Sequence, residues 1–161
     1  MKINAERLAG HFEAMSLIGK IGETGTCRPT MTTLEKQAFE LASGWMQDAG
    51  MTTHIDHFGN LVGRLKGTDP SLPVLMMGSH LDSQPYGGRF DGVAGVLSAI
   101  EVMQTMKEQG IRPRRSIDVV SFADEEGWRF NKGLFGSRGI LGKLEEGELQ
   151  RMDKDGITRE Q

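Results

Sequence analysis

The chain has 161 residues, of which 37% are hydrophobic and 25% charged, proportions that suit one soluble globular domain or a piece of one. Its 22 acidic and 19 basic residues give a net charge of -3 and are interspersed, so no basic stripe marks a nucleic-acid binder. A single cysteine, Cys27, excludes an internal disulfide framework, and neither the opening Met1–Arg7 nor the longest apolar run, Val93–Ile100, makes a signal peptide or membrane span; a cytoplasmic location is the expectation.

Residues 4–18 carry Leu8, Phe12, Met15 and Leu17 at the spacing of an amphipathic helix. Ile18–Thr30, with Gly19, Gly22 and Gly25, reads as a loop, since no strand leads into it as a phosphate-binding glycine loop requires. Thr32 with Glu35 forms a capping-box pattern, and Leu34, Ala38, Leu41, Ala42, Trp45 and Ala49 continue a helix that Gly50 stops. Thr52–Phe58 and Asn60–Leu65 flank Gly59-Asn60 as a hairpin or bent pair of strands, and Gly67–Pro70 is a turn.

Val74–Gly78 is a continuous apolar run, expected as a strand buried on both faces. Asp91–Gln109 has a helical stripe through Val93, Val96, Leu97, Ile100, Met103 and Met106, with Asp91 as its expected cap and Gly110 as its stop. Ile117–Ala123 is the next buried strand. Strand, helix, strand makes a βαβ unit, whose ligands bind beyond the carboxyl ends of the strands. Thr158–Gln161 has the pattern of a helix start with no apolar face after it, from which a truncated chain is expected.

His80 and Glu125-Glu126 follow the two strands of that unit, with Gly87-Gly88 and Asp91-Gly92 expected as a flexible turn between them. Taken singly, a His-x-Asp or a Glu-Glu pair is an ordinary turn or solvated pair. At the ends of neighbouring strands they imply one polar site. A pair of divalent ions needs imidazole and carboxylate ligands, a group orienting the imidazole, and an unligated base. His80 offers the imidazole, and Asp82 can hold its other nitrogen or the local backbone. Asp91, at a helix start, can bridge two ions, the positive helix end offsetting its charge. Glu125 and Glu126, adjacent on an extended strand, point opposite ways, so one can ligate while the other handles protons.

Other candidates are weaker. His11, His54 and His57 suit packing or surface roles, Cys27 lacks the His and Asn of a thiol protease, and Met76, Met77, Met103 and Met106 belong to apolar runs. No Gly-x-Ser-x-Gly elbow supports a serine hydrolase.

Four stretches, Gly59-Asn60-Leu61, Gly78–Ser83, Gly87–Gly92, and Asp124–Phe130 with Phe135–Arg138, run in an order that resembles the zinc-type amidohydrolases and peptidases. The resemblance is to the branch of N-carbamoyl-L-amino acid hydrolases, β-ureidopropionases and allantoate amidohydrolases. It implies an α/β fold, a three-layer mixed and largely parallel sheet with helices on both faces, of which residues 1–161 are the N-terminal part. The remainder of the catalytic domain and a lid and dimerisation domain lie outside.

By motif position it implies that His80 ligates one metal, Asp91 bridges both, Glu126 ligates the second, Glu125 is the general base and Asp82 stands behind His80. The implied cofactor is two divalent ions, zinc or else manganese, cobalt or nickel. The implied partners are a small carboxylate-bearing N-carbamoyl or ureido substrate and a second subunit, with no nucleic acid or membrane. The implied reaction is hydrolysis of a carbamoyl or ureido C-N bond. Allantoate amidohydrolase or dipeptidase-like activity is the alternative, and a non-catalytic binding remnant is the alternative of another class. The family's further His ligands and the lid residues that take the substrate carboxylate have no counterpart here, so weak metal binding and little turnover are expected of this chain alone, with exposed apolar surface at Val119, Phe122 or the Val93 helix.

Overall fold

The computed structural model describes residues 2–160. The first helix, α1 (Ala5–Leu17), starts at Asn4, whose side chain accepts the Arg7 N–H. Its apolar side, with Leu8, Phe12 and the fully buried Met15, joins the main core, and Arg7 pairs with the buried Glu101 at 2.7 Å. Thr32 caps α2 (Thr33–Asp48) as expected, accepting the Glu35 N–H; the Glu35 carboxylate returns to the Met31 N–H at 2.6 Å, one residue earlier than a capping box has it. His11 has a packing role, its ring stacked on Trp45 at 3.9 Å between centroids.

Two strands occupy the stretch expected as a loop. These are β1 (Lys20–Ile21) and β2 (Gly25–Arg28), antiparallel to each other, with β2 also antiparallel to β6 (Ser83–Gly88). The cause is long-range pairing, which glycine content does not reveal: Gly25 and Thr26 pair with Gly88 and Gly87. Gly87-Gly88 is therefore the end of a strand, not a flexible turn.

The second sheet has the order β3-β4-β7-β5. β3 (Thr52–Ile55) and β4 (Leu61–Leu65) form the expected hairpin, β4 runs antiparallel to β7 (Ile117–Ser121), and β5 (Leu75–Ser79) lies parallel to β7. The architecture is mixed α/β, with β5–β7 as the parallel pairing among the described residues. α3 (Val93–Glu108) lies between β6 and β7 in the chain, packs on β5 and β7, and touches both α1 and α2. Met46, Leu61, Val96, Leu97, Ile100, Met103 and Val119 are the centre of the core this makes; burying each contributes about 1.5–3 kcal/mol.

Val119 and Val93 are fully buried and Phe122 half-buried, so the exposed apolar surface lies elsewhere. Part of it is at the sheet edge, where Val74 just before β5 and Leu75 and Met76 within it are 41%, 47% and 45% exposed. The run expected as doubly buried, and Met76 expected in the core, thus belong to an open strand edge; β7, with all five residues buried, is the doubly covered strand.

After β7 the chain is mostly irregular around the short α4 (Phe135–Ile140). Its last part folds back: Arg159, fully buried, pairs with Asp124 and with Glu148, which Arg138 also holds. Thr158 forms an isolated antiparallel bridge with Met152, and Arg159 and Glu160 lie in a turn, so no helix starts there among the described residues; Gln161 lies outside them.

Candidate metal centre

β5 and β7 run in parallel and end together, Ser79 opposite Ser121, and the Phe122 N–H donates to the Ser79 carbonyl at 2.7 Å. The residues after each strand are therefore neighbours. His80 follows β5; Asp124, Glu125 and Glu126 follow β7.

The His80 ring is buried and has two differently occupied edges. Nδ1 lies 3.1 Å from the Asp82 carbonyl and 3.6 Å from the Asp82 carboxylate, while Nε2 lies 3.4 Å from Glu125 and 3.8 Å from Asp91. In a neutral imidazole protonated at Nδ1 toward the carbonyl, the Nε2 lone pair would face the acids, the tautomer a metal-binding imidazole needs. Gly92 fits against the face of the ring. Its φ is +65°, and a Cβ there would stand 2.5 Å from three ring atoms, so only glycine suits the position.

Asp91 does not cap α3. The cap is Gly92, with no side-chain bond, and Asp91 contributes only its carbonyl, to the Val93 N–H at 2.6 Å. Its carboxylate, 64% exposed, is left for the cluster. Asp82, by contrast, is buried and accepts the N–H groups of Glu125 at 3.3 Å and Glu126 at 3.1 Å. It therefore joins the histidine turn to the acidic loop.

β7 ends at Ser121, so Glu125 and Glu126 lie in a loop and the alternation of an extended strand does not separate them. Burial does. Glu125 is about one-third exposed and approaches Nε2, while Glu126 Oε1 is buried without a hydrogen-bond partner. Burial raises the Glu126 carboxyl above its usual range; His80 opposes this, and Asp91, Asp82 and Glu125 add to it. Burial also disfavours a charged His80, but Asp82, with help from Glu125, outweighs it and pushes the imidazole up to about 9. One imidazole is thus surrounded by four carboxylates, a concentration of negative charge that a bound cation would offset.

The loop is fixed from behind. Leu134, Phe135 and Gly136 donate main-chain N–H groups to the carbonyls of Glu125, Asp124 and Ala123 at 3.0, 3.2 and 2.9 Å. Asn60, fully buried, accepts the Ala123 N–H at 2.8 Å and donates to Asp56 and to the Gly136 carbonyl. A Cβ on Gly136 would lie 1.8 Å from the Asn60 oxygen, which explains the small residue there. Burial raises the Asp124 carboxyl to about 6 against the pull of Arg159. In the sequence Asn60 stands out only as part of a motif and Glu35 only as half of a capping box, while Arg28 and Arg159, whose partners Leu81 and Asp124 lie far along the chain, do not stand out. Their local signal is slight, a charged residue beside an apolar or glycine-rich run.

His54 and His57 are exposed and outside this cluster, and burial raises the Cys27 thiol, contrary to an activated nucleophile. A groove of about 770 Å³ lies between α2 and the β3–β4 hairpin, with Phe39, Ser43, Thr53, Ile55 and Leu61 among its walls. It contains none of the five acid and imidazole residues and is distinct from the centre.

Nitrogen and oxygen donors of this kind suit divalent ions such as zinc or manganese, and the orphaned Glu126 oxygen is a donor without another partner. Among the described residues no group of three His, Cys, Asp or Glu side chains closes on one point. The residue types fit, while the set is short of a complete coordination shell.

The family model for Peptidase family M28 matches residues 60–153. An N-carbamoyl-L-amino-acid amidohydrolase of Pseudomonas sp. (strain NS671) is 48% identical over 157 residues, 98% of this chain and 38% of that protein. An allantoate deiminase of Arabidopsis thaliana is 34% identical over 145 residues, 88% of this chain and 28% of its own length. Among solved structures, a hydantoinase/carbamoylase family amidase from Burkholderia ambifaria superposes with a TM-score of 0.93 at 39% identity, covering 98% of this chain and 39% of that one. The chain thus spans well under half the length of these relatives.

Proposed function

Because the chain belongs to peptidase family M28, we propose that it carries part of the active site of a metal-dependent amidohydrolase acting on a carbamoyl or ureido C-N bond. The substrate is a small carboxylate-bearing molecule, foremost an N-carbamoyl-L-amino acid. The observation that carries this reading is the convergence of Asp91 and Glu125 on His80 Nε2 while Asp82 occupies Nδ1. The similarity to the Pseudomonas amidohydrolase supports the choice of substrate.

In this reading His80, Asp91 and Glu126 would hold two divalent ions, zinc or else manganese, cobalt or nickel, with Asp91 serving both. When bound, the ions supply Lewis-acid polarisation of the carbonyl and of the attacking water. Glu125, whose carboxylate lies 3.4 Å from His80 Nε2, takes the water's proton and returns it to the leaving nitrogen. Asp82 orients the imidazole and holds the Glu125–Glu126 backbone, so the base and the ligands keep one spacing. One water added to an N-carbamoyl amino acid gives the free amino acid, ammonia and carbon dioxide.

Residues 1–161 would then be the N-terminal part of the catalytic domain of a dimeric, cytoplasmic enzyme. Ligands completing each ion's shell and groups taking the substrate carboxylate would come from the rest of it. The similarity to allantoate deiminase favours allantoate as the second substrate reading. The lack of a closed three-ligand group favours, as a reading of another class, a non-catalytic remnant that binds a partner.

The test is hydrolysis of N-carbamoyl amino acids, allantoate and dipeptides by the full-length protein, with metal content measured on the same preparation. Glu125→Gln is expected to abolish turnover and leave metal content unchanged. Unchanged turnover would remove Glu125 from the mechanism. Failure to hydrolyse all three substrates with metal bound would reject the amidohydrolase reading.

A further inference from the structure

Arg28 has none of its surface exposed, yet no carboxylate forms a hydrogen bond with its guanidinium. Nε donates to the Leu81 carbonyl at 2.9 Å, Nη1 to the Ile18 carbonyl at 2.9 Å and to that of Met15 at 3.4 Å, and Nη2 is buried without a partner. Burial draws the guanidinium pKa down, and the Asp82 carboxylate is the leading charge that opposes this. A buried charge held by carbonyls alone is costly. Its position gives the reason for it: Leu81 is the residue between His80 and Asp82.

The same residue also braces the next turn. The Arg28 main-chain N–H donates to Ser83 Oγ at 2.9 Å, and Thr26, two residues earlier on β2, links Ser83 Oγ to the Gly87 carbonyl at 3.2 and 3.3 Å. β2 thus grips both ends of β6, the strand that connects the His80–Asp82 turn to Gly88 and on to Asp91.

We propose that Arg28 is a positioning residue for the metal centre: through the Leu81 carbonyl and Ser83 it fixes the turn that presents His80 and Asp82, and through Asp82 the Glu125–Glu126 backbone. Its catalytic consequence rests on the amidohydrolase reading above, while the positioning itself is measurable without turnover.

The experiment compares Arg28→Gln and Arg28→Lys with the unaltered 161-residue chain by amide hydrogen exchange resolved by NMR. In Arg28→Gln the Glu125 and Glu126 amides, both held by Asp82, are expected to exchange about tenfold faster relative to the β7 and α3 amides. Arg28→Lys, which keeps the charge but on a single donor nitrogen, recovers part of the protection. In the full-length protein, Arg28→Gln is expected to lower kcat about 10–100-fold, the range found when groups supporting metal ligands are removed, with KM little changed.

Equal acceleration at every amide would mean that Arg28 supports only overall stability, and no local change in either variant would mean that the turn is held without it; both overturn the proposal. If the Glu125 and Glu126 amides respond as expected while the full-length protein hydrolyses none of the substrates, the positioning role stands and the amidohydrolase reading fails.

Discussion

Glu35→Gln isolates the cost of a buried carboxyl. Glu35 opens α2 but is only 6% exposed, and burial lifts its pKa from 4.5 to about 8, more than the Met31 N–H bond lowers it. The folded chain therefore holds this proton over a range in which the unfolded chain has lost it. Stability from this group is fully present below about pH 4.5 and falls as pH rises toward 8. Between pH 5 and pH 8.5 a shift from 4.5 to about 8 corresponds to a loss on the order of 4 kcal/mol.

Glutamine keeps an oxygen for the Met31 N–H and cannot ionise, so the variant lacks this part of the pH dependence. His80 and Asp124 titrate nearby in both proteins, and their contributions largely cancel in the comparison. Urea unfolding of both proteins at pH 5 and pH 8.5 measures the double difference. A loss of stability with pH that is smaller in the variant by several kcal/mol is expected; parallel pH profiles would refute the reasoning.

Gly92→Ala places a Cβ 2.5 Å from the His80 ring at a φ of +65°; it is expected to cost at least about 1–2 kcal/mol and to shift the His80 ring resonances in NMR spectra. Met76→Lys puts a charge on the open β5 edge, where Val74, Leu75 and Met76 are exposed; light scattering is expected to show less self-association than the parent chain at equal concentration. For His80 the sign is that of a raised imidazole: its contribution to stability is present below about pH 6.5 and is lost as pH rises through about 9. Thermal unfolding of His80→Asn against the parent is expected to lose that fall between pH 6.5 and 9.

The sequence was most readable where local pattern and packing agree. The stripes through Leu34–Ala49 and Val93–Met106 need one buried face, and α2 and α3 bury them. Ile117–Ser121 is buried throughout as an interior strand of its sheet, with α3 packed on it. Val74–Gly78 carries the same local signal but forms an edge, since burial on both faces depends on neighbours that the run itself does not specify. β1 and β2 were obscured for a related reason: Gly25 and Thr26 are strand residues only because Gly88 and Gly87 pair with them.

The site shows the same division. His80, Asp82, Asp91, Glu125 and Glu126 are recognisable because each follows a strand or precedes a helix. The groups that hold those positions, Arg28 on the Leu81 carbonyl, Asn60 on the Ala123 N–H and Arg159 on Asp124, act across 53, 63 and 35 residues and have no short motif.

Whether His80, Asp91 and Glu126 bind metal together is tested most directly by titrating this chain with zinc and following the His80 ring nitrogens and the Asp91 and Glu126 carboxyl carbons by NMR. Nε2 and both carboxyl signals are expected to move with one common saturation curve, at weak affinity, while Nδ1 keeps its bond to Asp82. Independent curves for the three residues, or a response confined to other side chains, would contradict shared binding.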